Sequence, residues 1–380
     1  MFDEIARESI QKHREWKGKI EMRAKVAIDQ IHDLTLVYTP GVGAVSKLIA
    51  EHPEEVDQLT WRKNTVAVVS DGSAVLGLGN IGPAAALPVM EGKCAIFKRF
   101  ANIDAVPIVL GTQDVEKIVT TVIAIAPSFG AIQLEDISAP RCFEIEKRLQ
   151  ETLDIPVMHD DQHGTAIIVL AGLINALKVV GKQINQIRLV MNGAGAAGLA
   201  VTRLLIKAGV QDMVIVDRQG AIYTGRDGLN EEKKILAELT NRAHQSGPLT
   251  DVARGADVLI GVSAAGAFSS ELIRSMAPKS IVFALANPVP EILPDEAREA
   301  GAAVIATGRS DFPNQINNAL CYPGLFRGML DQNIKKVTDE IKLRAAQAIA
   351  SVIKDPTAEH FIPSMFEPGL METVARSVSG

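Results

Sequence analysis

The chain has 380 residues, of which 47% are hydrophobic and 22% are charged, as expected for a soluble protein with a full core. With 39 Lys and Arg against 45 Asp and Glu, the net charge is −6, and no basic stripe favours a nucleic acid. The 3 cysteines lie far apart, which excludes a disulfide framework or a Cys-x-x-Cys metal site. No signal peptide is visible, and no apolar run approaches about eighteen residues. We therefore expect a cytoplasmic protein that binds neither nucleic acid nor membrane.

The N-terminal part of the chain carries an amphipathic helix followed by a Pro-Gly turn. Residues 3–17 have the pattern of a polar helix, which favours a surface or dimer contact over a site. An apolar stretch then leads into Pro40-Gly41, where the backbone path is fixed and Tyr38 is held beside it. On local evidence alone, Tyr38 is either a packing residue or a catalytic phenol.

A first glycine-rich loop follows the buried strand predicted for residues 65–70. The loop has GxGxxG spacing and opens a helix predicted from Ala84 to about Met90. Its plain structural role is to begin that helix, but free amides at a helix N-terminus also attract phosphate or carboxylate. The loop residues predicted to bind a ligand are Gly77, Gly79, Asn80 and Gly82.

Lys93 follows this predicted helix and lies between apolar stretches. Most lysines in such a position extend their charged end to the surface. A lysine in an apolar cleft would instead have a destabilised ammonium group and could serve as a base. Both interpretations of Lys93 fit the local sequence.

Two predicted strands end in acidic pairs. Residues 131–134 lead into Glu135-Asp136, and residues 156–158 lead into Asp160-Asp161. A helix predicted from Thr165 to about Val180 follows the second pair. Strands alternate here with helices, a pattern that predicts a parallel sheet covered on both faces, with ligands at the carboxyl ends of its strands. Such acids can simply cap helices or form turns. Several carboxylates from neighbouring strand ends also suit a hard divalent cation, Mg²⁺ or Mn²⁺.

A second glycine-rich loop follows the strand predicted for residues 187–192 and precedes a helix. An acid, Asp217, ends the next strand about twenty residues later, where it can accept hydrogen bonds from ribose hydroxyls. This combination predicts a Rossmann-type site for NAD. A carboxylate repels a 2′-phosphate, so we expect NAD over NADP, although NADP stays possible because Arg218 could neutralise the phosphate. The loop residues predicted to bind the cofactor are Gly193, Ala194, Gly195, Ala196 and Ala197.

The C-terminal half continues the alternation of strands and helices. Asn287 and Asn318 lie near predicted strand ends, where they could bind a carboxamide or carboxylate or merely form turns. Residues 333–352 are predicted to be helical. The fold class is therefore α/β with two domains, each a mostly parallel sheet flanked by helices. We place a metal-binding domain at residues 1–162 and a Rossmann domain with C-terminal helices at residues 163–380.

Six motifs in order resemble the malic enzyme family, in particular its short bacterial class. The resemblance runs from about residue 15 to the C-terminus, and the spaced combination is specific. It implies oxidative decarboxylation of L-malate to pyruvate and CO₂, with NAD or NADP and a divalent metal. The motifs are Tyr38–Val42, Gly77–Gly82, Glu91–Lys93, Leu134–Asp136, His159–Ala166 and Gly193–Gly198.

The resemblance also implies roles for single residues. Lys93 resembles the general base, which must be neutral to act, and Tyr38 resembles the general acid. Asp160 resembles the partner of Lys93. One departure is Ala74, which stands where larger relatives carry a carboxylate-binding arginine, so the metal, the first glycine loop or the two asparagines must hold that carboxylate instead. The residues that resemble metal ligands are Glu135, Asp136 and Asp161.

Other functions use parts of the same sequence. A malolactic enzyme, which keeps its NAD and releases lactate, would need the same residues. An amino-acid or shikimate-type dehydrogenase, or a redox-sensing NAD-binding protein, would need the Rossmann half without the acidic cluster. In each case we expect a homodimer or a higher homo-oligomer.

Overall fold

Within residues 2–379, which the computed structural model describes, the strands form two sheets. The first sheet is entirely parallel, and its strand order is β2-β1-β3-β4. β2 and β3 therefore lie on opposite sides of β1, so the chain changes direction across the sheet there. In such sheets a ligand binds in the crevice at this change, which here lies where β1 and β3 end. The strands of this sheet are β1 (Thr65–Ser70), β2 (Asp104–Val109), β3 (Ala131–Leu134) and β4 (Val157–His159).

The second sheet has the strand order β10-β9-β8-β5-β6-β7 and is parallel except for β7. This is the Rossmann order, with its reversal between β5 and β8, so the fold class predicted from the sequence is confirmed. The strands are β5 (Arg188–Asn192), β6 (Asp212–Asp217), β7 (Gly220–Ala221), β8 (Val258–Gly261), β9 (Ile281–Ala284) and β10 (Val304–Thr307).

Sixteen α-helices surround the two sheets in the described part of the chain. Short 3₁₀ turns connect some of them. In chain order the helices are α1 (Phe2–Trp16), α2 (Ile31–Val37), α3 (Gly41–Glu51), α4 (Val56–Leu59), α5 (Pro83–Ala101), α6 (Val115–Ile125), α7 (Arg141–Thr152), α8 (Asp160–Val180), α9 (Ala196–Lys207), α10 (Glu231–Leu239), α11 (Leu249–Val252), α12 (Ser270–Arg274), α13 (Pro294–Glu299), α14 (Tyr322–Asp331), α15 (Asp339–Val352) and α16 (Leu370–Arg376).

The two sheets share one hydrophobic core. Successive side chains of a strand point to opposite faces of its sheet. In β1, Val66 and Val68 face the shared core, while Ala67 and Val69 face a separate cluster under α6 and α7. The second sheet likewise buries one face in the shared core and the other in its own cluster. Helices α5, α8 and α9 lie in the shared layer, so elements that carry the predicted motifs meet there.

Helix α8 is the longest described helix, and it joins the two parts of the chain. By length and composition it could cross a membrane, but 72% of its apolar window is buried inside the protein, where it packs against α9 and α15. It begins at Asp160, five residues before the predicted start, and it runs through the predicted boundary between residues 162 and 163. That domain boundary stays a prediction.

Two further sequence predictions about helices were wrong in their bounds. Helix α5 extends to Ala101, so Lys93 lies in the middle of it and does not follow its end. The helix predicted for residues 333–352 begins only at Asp339, with Thr338 capping it, and α14 ends at Asp331. The intervening residues connect these two helices.

Candidate active site

Three carboxylates meet where β3 and β4 end. Glu135 and Asp136 follow β3, and Asp161 lies in the first turn of α8. One oxygen atom of each lies within 4.8 Å of the others. The backbone of Asp136 has a φ of 54°, in the left-handed region that non-glycine residues rarely adopt, and its N–H donates to Asp161 Oδ2 over 2.7 Å. A backbone held in this way at a strand end is typical of a functional site.

The chemistry of this acidic cluster suits a divalent cation. Glu135 is buried, and burial raises its pKa to about 7, with Lys93 opposing and Asp161 adding to the effect. Burial also raises the pKa of Asp161. Crowded carboxylates with few charges to balance them gain stability from a cation, and an all-oxygen donor set is the one that Mg²⁺ and Mn²⁺ prefer. Glu135, Asp136 and Asp161 therefore fit the predicted metal.

Lys93 lies beside this cluster and is itself buried. Its Nζ donates to Asp160 Oδ2 over 2.7 Å and to Asn318 Oδ1 over 3.2 Å, and it lies 3.0 Å from Glu135 Oε1. Burial lowers the pKa of Lys93, but Asp160 and Glu135 outweigh it, so the pKa lies well above its ordinary value. Asp160 and Glu135 thus favour the charged form of Lys93.

Tyr322 packs on Lys93, a contact that the sequence analysis missed. The ring centroid lies 4.8 Å from Lys93 Nζ, and the hydroxyl donates to the carbonyl oxygen of Lys93 over 3.4 Å. Burial raises the pKa of this phenol well above its ordinary value. Tyr322 is therefore a neutral phenol that helps to orient Lys93. Its only sequence signal was that of a polar aromatic residue at the start of helix α14, which was not predicted.

Tyr38 lies apart from this site in a single chain. Its side chain is 64% exposed, and it is not among the described residues that line the cavity at Lys93. Helices α2 and α3 on either side of it contain no buried residue. The role of Tyr38 as general acid therefore stays a prediction. It requires that Tyr38 reach the cavity at Lys93 from another copy of the chain.

The cavity at Lys93 has a volume of about 730 Å³. It is lined by Asn287 and Asn318, as predicted for ligand-binding asparagines, and by Ala74. Of the first glycine loop, Gly77 lines it, and a Cβ there would lie 1.9 Å from the carbonyl oxygen of Asn287. The other three loop residues predicted to bind a ligand do not line this cavity, and Asn80 bonds to Gln113 instead.

A second cavity, of about 640 Å³, lies where β5 and β8 end. Gly193 has a φ of +124°, and a Cβ at Gly198 would lie 1.9 Å from the carbonyl oxygen of Gly193. A Cβ at Gly195 would meet no other atom within 4 Å, so the space beside Gly195 at the start of α9 is open. A tight turn, an open position and a close helix contact are the three tasks of glycines in a dinucleotide loop. Gly193, Ala194 and Gly195 line this cavity, while Ala196 and Ala197 line the one at Lys93.

The two cavities adjoin. Gly195, Val262 and Ser263 line both. A dinucleotide that lies along the loop after β5 therefore extends from the end of β6 toward the acidic cluster. The geometry can bring a nicotinamide ring beside a substrate at Lys93.

Asp217 lies at the far end of the dinucleotide cavity, but its carboxylate is already engaged. Oδ1 accepts from the backbone N–H of Gln219 over 3.0 Å and from Arg226 Nη1 over 2.9 Å. Oδ2 accepts from Arg226 Nη2 over 2.5 Å and from Lys233 Nζ over 2.7 Å. Although burial opposes this, these bonds lower the pKa of Asp217 to about 2. A carboxylate offers about four acceptor positions, so none remains for ribose hydroxyls. The sequence analysis did not expect this.

Glu146 holds the residues on either side of the Asp160-Asp161 pair in place. This buried carboxylate on α7 accepts hydrogen bonds from the backbone N–H of His159 over 2.8 Å and from Gln162 Nε2 over 3.1 Å, and it lies 3.0 Å from His163 Nε2. It therefore fixes both sides of the Asp160-Asp161 pair. The sequence carried a signal that was overlooked, because Glu146 falls on the buried face of α7 with Ile145 and Leu149.

We expect Glu146→Gln to weaken Mn²⁺ binding by roughly 10- to 100-fold, the usual effect of losing a group that orients a metal ligand. The variant should also unfold more easily, by about 1–3 kcal/mol, because buried donors lose their charged acceptor. Titration with Mn²⁺ and denaturation in urea measure the two effects. Glu144→Gln, on the exposed face of α7, is the matched control and should change neither. Unchanged Mn²⁺ affinity in Glu146→Gln would contradict this positioning role.

Comparison with known proteins agrees with this geometry over nearly the whole chain. The family model described as "Malic enzyme, N-terminal domain" matches residues 17–150, and "Malic enzyme, NAD binding domain" matches residues 162–367. The chain is 52% identical to a bifunctional malic/malolactic enzyme of Bacillus subtilis, over 99% of this chain and 92% of that protein. It is 55% identical to an NAD-dependent malic enzyme of Geobacillus stearothermophilus, over 95% and 76% respectively.

A solved structure gives the same result. The crystal structure of an NAD-dependent malic enzyme from Thermotoga maritima superposes with a TM-score of 0.94 at 48% identity, covering 98% of both chains. The chain belongs to the malic enzyme family.

Proposed function

We propose that the protein catalyses the oxidative decarboxylation of L-malate to pyruvate and CO₂, with reduction of NAD or NADP. The observation that carries this proposal is the adjacency of a buried lysine, three carboxylates and a dinucleotide cavity at the ends of two parallel sheets. In this arrangement residues 1–162 bind malate and metal, and residues 163–380 bind the dinucleotide. The composition and charge of the chain favour a soluble enzyme, which we place in the cytoplasm.

In the first step, malate loses hydride from its C2 to the nicotinamide and a proton from its hydroxyl. Glu135, Asp136 and Asp161 would hold Mg²⁺ or Mn²⁺, which would supply positive charge that lowers the pKa of the hydroxyl. Lys93 accepts the hydroxyl proton, and Asp160 and Asn318 hold its amine in place. Lys93 must be neutral for this task, and a cation held at the acidic cluster would lower the pKa of the lysine by opposing its positive charge.

In the second step, the bond to the leaving carboxylate breaks and its electron pair remains on the neighbouring carbon. That carbon then needs a proton to give pyruvate. A phenol is suited to this transfer, and we assign it to Tyr38. Asn287 and Asn318 line the cavity and hold the carboxylate that an arginine would otherwise bind, since Ala74 offers no charge.

We propose that the enzyme is a homodimer in which Tyr38 enters the site of the partner subunit. The support is the exposure of apolar side chains around it, among them Ile31 at 84% and Leu36 at 61%. Apolar patches of this kind mark contact surfaces. Since helices α2 and α3 bury no residue in a single chain, a second copy is the partner that would cover them.

A malolactic reaction is a second candidate, because the Bacillus subtilis relative is named as a bifunctional malic/malolactic enzyme. Malate would then give lactate and CO₂ while the nicotinamide is oxidised again in place. Both reactions use the same acidic cluster and lysine. They differ in whether reduced cofactor leaves the protein, and the products distinguish them.

Removal of metal should abolish malate turnover, because the proposed reaction needs a cation at the acidic cluster. We expect EDTA to stop NAD or NADP reduction and Mn²⁺ to restore it. Asp161→Ala should weaken Mn²⁺ binding strongly while leaving dinucleotide binding nearly unchanged, as Asp161 does not line the dinucleotide cavity. Direct titrations of Mn²⁺ and NAD measure both. Full activity in metal-stripped enzyme would rule out this metal site.

A further inference from the structure

We propose that Lys19 is a further substrate-binding residue, whose ammonium group binds the malate carboxylate that lies farther from the hydroxyl. The inference deepens the proposed function and rests on it, because malate is the ligand. It makes Lys19 the residue that selects a dicarboxylate over a hydroxy acid with a single carboxylate.

The first support is the charge of the cavity at Lys93. Lys19 and Lys93 are the only basic side chains among the described residues that line it, and three acids, Glu135, Asp136 and Asp161, line it too. Even with a divalent cation and a charged Lys93, these acids are no more than balanced. Malate adds two negative charges, and a charge that enters such a site without a partner is costly. Lys19 is the cation of the cavity wall that remains to meet it.

The second support is the way in which the backbone places Lys19 on α5. Lys17 has a φ of 55° and Gly18 a φ of 125°, so the chain turns sharply after α1. The backbone N–H of Lys19 then donates to Glu91 Oε2 over 3.2 Å, and its Nζ donates to the carbonyl oxygen of Pro88 over 2.7 Å. These bonds fix the ammonium group on the turn of α5 that precedes the proposed base.

Gly92 brings the two lysines to the same part of the cavity. A Cβ at Gly92 would lie 3.5 Å from Lys19 Nζ, so the ammonium group lies beside the helix backbone one residue before Lys93. Pro88 and Gly92 line the cavity as well. Lys19 and Lys93 therefore reach one ligand from neighbouring positions.

The third support is that the ammonium group has capacity for a ligand. It has three N–H groups, of which the carbonyl oxygen of Pro88 takes one. In the part of the chain that the structure describes, no carboxylate pairs with Lys19 Nζ, since Glu91 bonds to its backbone instead. Burial lowers the pKa of Lys19, with Glu91 opposing the effect. An anionic ligand would offset this cost of burying the charge.

The choice between the two malate carboxylates follows from the division of the cavity. Lys93 and the acidic cluster act at the hydroxyl, where a chelating cation takes the adjacent carboxylate. The farther carboxylate is left for Lys19, and Asn287 and Asn318 offer it hydrogen bonds but no charge. This carboxylate leaves as CO₂ and loses its charge, so its contact with Lys19 is strongest before the reaction. Such a contact lowers KM without raising kcat.

Lys19→Gln should therefore raise KM for malate by roughly 10- to 100-fold, as expected for one lost charged contact, and change kcat less than about threefold. Steady-state oxidation of malate with Mn²⁺ measures both. Lys25→Gln is the matched control and should change neither, because Lys25 is 69% exposed and lies near Asp104, outside the cavity. An unchanged KM in Lys19→Gln, or a loss confined to kcat, would overturn the proposal.

Two probes that differ in one charge separate binding from folding. They are malate and its β-monoamide, in which a carboxamide replaces the farther carboxylate. Calorimetry with Mn²⁺ and reduced dinucleotide measures their affinities without turnover. We expect the wild type to bind malate at least about tenfold more tightly than the amide, and Lys19→Gln to lose this preference by weakening malate alone. Equal weakening of both probes would show a structural role only and would contradict the proposal.

These outcomes are distinguishable from a failure of the proposed function. If the preference for malate depends on Lys19 but malate is not oxidised, the binding role stands and the reaction assigned above is wrong. If malate is oxidised and Lys19→Gln keeps the wild-type KM, the reaction stands and this inference fails.

Discussion

Lys93→Ala should lower the rate of hydride transfer from malate by roughly 10²–10⁴-fold, the usual effect of removing a general base. The reason is that Nζ lies at the acidic cluster, held by Asp160 and Asn318, and no other lysine among the described residues contacts this cluster. Single-turnover reduction of NADP or NAD by malate measures that step. A small added amine should restore part of the rate by occupying the space of the lost side chain.

The control for this variant is Lys98→Ala. Lys98 lies on the same helix, but its side chain is 54% exposed and pairs with Asp104. It should change the rate of hydride transfer less than twofold, within the usual scatter of surface substitutions. Hydride transfer at the wild-type rate in Lys93→Ala would remove Lys93 from the role of base.

Mixed dimers of two inactive variants should regain activity if Tyr38 acts in the partner subunit. A dimer of one Lys93→Ala chain and one Tyr38→Phe chain has one site with both native groups and one with neither. Random mixing should therefore restore about a quarter of the wild-type activity, given a dimer with two equal sites. Steady-state malate oxidation after co-refolding or co-expression of the two variants measures this.

The homodimers alone supply the controls. Each variant by itself should stay nearly inactive, and Tyr38→Phe should slow the tautomerisation of enolpyruvate, the proton transfer assigned to the phenol. If Tyr38 served its own subunit, every site in the mixed dimer would lack one group. The mixture would then show no more activity than the average of its components.

The parts of the fold that the sequence predicted well are those with local signals. Gly193, Gly195 and Gly198 meet separate steric demands, so their spacing between a strand and a helix, with an acid at the end of the next strand, predicted the dinucleotide loop. The acidic pairs at Glu135 and Asp161 follow short apolar strands, and the edge of a parallel sheet brings such ends together. The bounds of α5 and α8 were less well predicted. Burial in the shared core extends α5 beyond its local pattern, and the polar segment from Asp160 to Gly164 gave no apolar signal for the start of α8.

The contacts that sequence analysis did not predict join distant segments of the chain. The state of Asp217 follows from Arg226 and Lys233, whose side chains fold back on it from the loop after β7 and from α10. Tyr322 reaches Lys93 from 229 positions away. Neither contact leaves a periodic or spaced pattern in the sequence. The role proposed for Tyr38 needs a second chain, which no pattern within one chain specifies.

The most direct test of the proposed function is a product balance for malate in the presence of Mn²⁺. Purified enzyme, L-malate and NADP or NAD would be incubated, and reduced cofactor, pyruvate, lactate and CO₂ measured together. The oxidative reaction predicts one reduced cofactor, one pyruvate and one CO₂ for each malate consumed, and none of them when the metal is removed. Lactate and CO₂ without reduced cofactor would show the malolactic reaction instead, and no consumption of malate would contradict the assignment of this site.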